Sequence, residues 1–158
     1  MPRDPRWMLS VRTDPTRLKI GRDRLRLSIT SDRPGFVYVI ALGTDGKQLA
    51  MLFPNAVDRN NQIAAGKPID LPRPGWAIAA GGPAGTNRFV AIVSDAPRDW
   101  TQSGLGKQSP FAEFDFKQLQ ASHGANGASA LSGSVQCKPD TPNCGRFGAE
   151  TFQVEESE

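Results

Sequence analysis

Between Arg24 and Asn55 the chain reads RLRLSITS, DRPG, FVYVIAL, GTDGK and QLAMLFPN. Leu25, Leu27 and Ile29 alternate with Arg24, Arg26, Ser28 and Thr30, the period-two pattern of a strand with one face in water. Phe36 to Leu42 and Leu49 to Phe53 are apolar at every position. Runs that short, rich in Val, Ile, Phe and Tyr, predict strands covered on both faces. Pro34-Gly35 and Asp45-Gly46 separate the three segments as turns, which makes a meander.

The same reading extends both ways along the chain. Trp7, Leu9 and Val11 alternate with Met8, Ser10 and Arg12 and predict a first strand, broken at Asp14-Pro15-Thr16. Leu18 and Ile20 suggest a short edge segment ended by Gly21. After the polar loop AVDRNNQIAAG, Pro68 to Leu71 forms a short strand, and Trp76, Ile78 and Ala80 alternate as another. Gly81 to Gly85 is a turn by composition. Asn87 to Ser94 is mostly apolar and predicts a central strand, and Phe152 with Val154 marks the last one. Seven or eight strands with frequent turns point to an all-β, two-sheet, immunoglobulin-like β-sandwich, with a closed barrel as the alternative.

From Pro97 to Arg146 the composition changes. Ser109 as cap, Pro110 in the first position and Glu113 in the first turn predict a short helix through FAEFDFKQLQ. Packed on the sandwich it is structural; left partly open, its Phe111, Phe114 and Leu119, with the neighbouring Trp100, would contact a partner. Gly124 to Ser134 is small and polar enough for a mobile loop. Cys137 and Cys144 lie in CKPDTPNC, where a local disulfide would stabilise by about 2.5 kcal/mol for a loop of about eight residues. Free thiols are the alternative. A metal site is disfavoured because zinc needs about four ligands and His123 is the only histidine. A disulfide would place the domain in an oxidising, extracytoplasmic compartment; without it a cytoplasmic location is open.

The 158 residues suit one domain, with core strands over about 7–95, a final strand over 147–155 and an insertion over 97–146. At 38% hydrophobic and 22% charged the chain is globular rather than disordered. No apolar run approaches the 18 residues of a membrane span, so this segment is not expected to insert in a membrane. MPRDPRWMLSV has charges and prolines where a signal peptide has its apolar core. An extracytoplasmic reading therefore implies a domain cut from a longer protein. Arginines crowd the beginning and glutamates the end, but Asp4, Asp14 and Asp23 interrupt the basic stretch, and net charge is only +3. Nucleic acid is not an expected partner.

Catalytic patterns are not compelling. Gly46-Lys47-Gln48 and Gly106-Lys107-Gln108 lack the hydroxyl and the upstream glycine of a phosphate-binding loop. There is no G-x-S-x-G elbow. Asp58 to Gln62 places oxygen ligands at alternate positions but lacks the glycine and distal glutamate of a calcium loop. No cofactor or catalytic residue is expected.

The run from Leu18 to Asp95 resembles a bacterial family known only as a domain of unknown function. The resemblance is carried by Gly35-Phe36-Val37-Tyr38, by Leu52-Phe53-Pro54-Asn55, and by Asn60 with Ile63-Ala64-Ala65-Gly66. Such domains are appended to serine/threonine kinases and caspase-like peptidases and occur in proteins linked to type VI secretion. The family has no established activity to carry over; the want of a compelling acid, base and nucleophile set points instead to a non-catalytic interaction or sensor module whose partner is another protein, such as a secretion-system or envelope component. The family's motif residues Leu52, Phe53, Pro54, Asn55, Asn60 and Gly66 read as structural: Pro54 stops a ladder for want of a donor and Asn55 caps the next loop. The competing reading is a hydrolase or carbohydrate-binding domain with a cleft lined by Trp76, Trp100 and aspartates.

Overall fold

The computed structural model describes residues 4–43, 49–99, 105–108, 111–114, 134–135 and 145–158. Along these residues run β1 (Leu9–Asp14), β2 (Arg17–Lys19), β3 (Arg24–Ser31), β4 (Gly35–Leu42), β5 (Leu49–Phe53), β6 (Gln62–Ile63) and β7 (Ile69–Leu71). They continue with β8 (Ile78–Ala79), β9 (Gly85–Ser94), β10 (Arg98–Asp99), β11 (Leu105–Gln108), β12 (Ala112–Phe114), β13 (Ser134–Val135) and β14 (Phe147–Ser157). The protein is all-β, with no helix among the described residues.

Two sheets carry most of these strands. In the first, β3 lies between β1 and β7 and also pairs with β8. The second runs β11-β12-β5-β4-β9-β14-β2, with β6 against the start of β4. Alternation in β3 turns Leu25, Leu27 and Ile29 inward to meet Val37, Val39, Ala91, Val93 and Val154 of the second sheet in one core cluster. The other face of the second sheet is apolar too, where Tyr38, Ile40, Met51, Ile92 and Phe147 form a second cluster. This two-sided burial is why β4 and the end of β9 read as continuous apolar runs. Each such side chain contributes roughly 1.5–3 kcal/mol on burial. Trp7 closes the start of β14 so tightly that a Cβ at Gly148 would come within 2.8 Å of its ring.

The first and last parts of the chain meet. β2 pairs in parallel with the end of β14, aligning Arg17 with Glu155. Their side chains stand 3.5 Å apart and well exposed, so the basic beginning and acidic end offset each other at little energetic gain.

The helix expected from Ser109 is not formed over the part that can be seen. Ala112 and Glu113 instead pair with Met51 and Ala50 at the edge of β5. An open sheet edge offers unpaired backbone groups, and satisfying them outweighs a cap and a modest helical stripe. The Asp45-Gly46 turn, Trp100, Leu119, His123, the loop over 124–133, and both Cys137 and Cys144 with their expected disulfide lie outside the described residues.

Candidate functional site

The loop after β5 is built around Asn55, which is fully buried. Its Nδ2 donates to the Leu52 carbonyl at 2.9 Å, and its Oδ1 accepts from the Val57 and Asp58 amides at 3.0 Å each. The backbone adds a bond from the Asn55 amide to the Asp58 carbonyl at 2.9 Å. An Asn at a turn replaces water for backbone groups that burial would otherwise leave unpaired. Asn61 Nδ2 then donates to the Val37 carbonyl at 2.9 Å, tying the far side of the loop to β4. Gly66 has φ 74°, and its amide donates to the Ser31 carbonyl at 2.8 Å, so the turn before β7 needs a residue tolerant of the left-handed region.

Asp58 is the loop's anchor. Its carboxylate accepts Arg73 Nε at 2.8 Å and Nη2 at 2.6 Å, and also Trp76 Nε1 at 3.0 Å. The Arg73 hydrogen bond holds its pKa below the ordinary carboxylate value, against a smaller opposing push from burial. Phe53 stacks on Trp76 with ring centres 6.1 Å apart, and Phe111 meets Trp76 edge-on at 5.9 Å. Arg73 lies over the Phe53 ring at 5.2 Å. Asp58 is therefore engaged by two side-chain donors, and Trp76 is covered by other aromatics instead of lining an open cleft. That arrangement does not favour the carbohydrate or hydrolase alternative.

A different arrangement occupies the end of the sheets where β3 and β9 begin and β4 and β14 finish. Inward-facing positions there carry small side chains, Ala41 and Ala50, which are cross-strand neighbours. They leave a cavity of about 260 Å³ walled by Leu25, Leu52, Ile78 and Phe89, among others. Glu156, which alternation in β14 also turns inward, lines it and is only 9% exposed. Its Oε2 accepts the Gly82 amide at 3.0 Å.

The comparison with known families rests on this central part of the chain. A family described as a domain of unknown function (DUF4384) matches residues 17–97. The chain belongs to this family. The DUF4384 segment spans β2 through the loop after β9 and so contains the Asn55 loop, the Asp58–Arg73 clamp and most of the cavity wall. No curated protein matches the chain in a sequence search. Outside the DUF4384 segment, β14 supplies Glu156 and the strand that completes the second sheet.

The sequence-predicted residues fall in different places. Leu52, Phe53 and Asn55 are buried, Asn60 Oδ1 accepts the Gln62 amide at 3.4 Å, and Pro54 follows directly on β5. Phe111 is half-buried against Trp76 and also borders the cavity. Phe114 lies in β12, while Trp100 and Leu119 are outside the described residues. Sequence reasoning missed Arg73 and Glu156. Arg73 acts on a residue 15 positions away and Glu156 on one 74 positions away, and no local pattern signals either. No helix among the described residues is long and apolar enough to cross a membrane.

Proposed function

We propose that this domain is a non-catalytic interaction or sensor module, built as an immunoglobulin-like sandwich. One observation carries the reading: Asn55, Asp58, Asn60 and Asn61 of the family loop are spent on its own scaffold, while an apolar-walled cavity stays open at the end of the sheets. Asn55 serves backbone groups and Asp58 serves Arg73 and Trp76. A general acid or base must instead face a reacting group within hydrogen-bond reach. A cavity with mostly apolar lining and a few placed polar groups, here Glu156 and Asn87, is the usual form of a binding site.

The setting we infer is the extracytoplasmic C-terminal part of a bacterial serine/threonine kinase or of a protein linked to type VI secretion. The short spacing of Cys137 and Cys144 supports an oxidising compartment. A protein partner, such as an envelope or secretion component, would engage the segment over 97–146, with Trp100, Phe111, Phe114 and Leu119 as the candidate apolar contacts.

The test is an NMR screen of the purified domain with a mixed library of small organic molecules, run beside chromogenic esterase, glycosidase and peptidase substrates. Saturable shifts at the Leu25, Leu52 and Ile78 methyls without turnover are expected. Turnover that follows the protein through purification and is lost on replacing Asp58 or Glu156 would overturn the reading.

A further inference from the structure

We propose that the cavity bordered by Glu156 is a site for a small organic ammonium ion, a primary amine carried on a short apolar body. The proposal rests on the reading of the domain as a binding module and specifies what it binds. Three features of the site converge on this ligand.

The first is the carboxylate. Glu156 is nine-tenths buried beside Leu18 and other apolar side chains, and its only hydrogen bond among the described residues is the one from the Gly82 amide to Oε2. A carboxylate has about four acceptor positions, and burying one without a cation is costly. Oε1 is the atom left to receive a donor. The second is the wall: Leu25, Leu52, Ile78 and Phe89 give an incoming methylene chain apolar surface to cover. The third is size and valence. At about 260 Å³ the cavity is slightly smaller than a typical drug-sized site of roughly 300–1,000 Å³. A guanidinium binds best as a fork across both carboxylate oxygens, and here that fork would have to share Oε2 with the Gly82 amide. An ammonium is a compact point donor that one free oxygen can satisfy.

The ammonium could come from a free alkylamine or from a lysine side chain of a partner protein, and the probes separate these. The intact chain, with methyl groups labelled, is titrated with n-pentylammonium, 1-pentanol, valerate and Nα-acetyl-lysine methylamide. Pentylammonium is expected to shift the Leu52 and Ile78 methyls and the Gly82 amide, binding about tenfold or more tightly than pentanol, as befits a hydrogen bond to a charged group. Glu156→Gln, which keeps the shape and an acceptor for Gly82, should erase that tenfold margin. The lysine derivative binding as well as pentylammonium supports a partner's side chain, and binding clearly more weakly supports a free amine. Pentanol or valerate binding as well as the amine in the wild-type protein overturns the ligand class and leaves the binding module standing. Silence of the cavity toward every probe and toward the mixed library overturns both.

Discussion

Arg73 holds Asp58 with two hydrogen bonds at once, Nε at 2.8 Å from one carboxylate oxygen and Nη2 at 2.6 Å from the other. The same Nη2 also donates to the Asn60 carbonyl. One guanidinium thus fastens the loop after β5 to the loop after β7, and so joins the second sheet to the first. A fork of this kind fixes direction as well as distance, which a single point charge does not.

Replacing Asp58 with Asn should therefore cost about 1–3 kcal/mol, because Arg73 loses its charged acceptor and Trp76 keeps at best a neutral one. The lower half of that range is expected, since the Arg73 side chain is 34% exposed and water screens the pair. The pH dependence has a fixed sign. The Asp58 pKa is depressed in the folded protein, so its contribution is fully present above the unfolded value of about 3.9 and is lost as pH falls through the folded value. Urea unfolding of wild type and D58N between pH 7 and 2 should show the two stabilities converging only below about pH 4.

Asn55→Ala should be the most damaging change in the family loop. It removes three hydrogen bonds and leaves the Leu52 carbonyl and the Val57 amide without their side-chain partner. A loss of about 3 kcal/mol is expected, read as a lower urea midpoint at unchanged slope. Asn55→Asp should recover only part of it, since the carboxylate keeps the two acceptor bonds but turns an oxygen toward the Leu52 carbonyl.

Arg98 makes the same argument at the other apolar cluster. It is 8% exposed, donates from Nε to Ser94 Oγ at 2.7 Å and from Nη2 to the Gly145 carbonyl at 2.6 Å, and lies 4.6 Å over the Phe147 ring. Burial draws its pKa down, with Asp95 the main opposing influence. Lysine keeps the charge but not the planar fork, so Arg98→Lys should cost roughly 2–4 kcal/mol in thermal or urea unfolding.

Much of the scaffold was legible because its signals are local. Alternation from Leu25 to Ile29 and the unbroken apolar run from Phe36 to Leu42 each report burial on one or two faces, and both became strands of the expected length. Asn55 was legible as a cap because its partners lie within three residues. The segment around Ala112 was not, because a helix start and an edge strand compete there and the deciding partner is Met51, far away in the chain. The cavity was illegible for the same reason. It arises where Ala41, Ala50 and Glu156 come together from three strands, and no one of them is unusual in its own stretch.

Filling that cavity tests the account most directly. Ala50→Leu places a larger side chain beside Ala41 at the cavity wall, and ligand binding can be followed by NMR titration with n-pentylammonium alongside urea unfolding. We expect the variant to unfold at or near the wild-type midpoint and to lose the saturable shifts at Ile78 and Gly82. A folded variant that still answers the amine with wild-type affinity would contradict the claim that this cavity is where the domain binds.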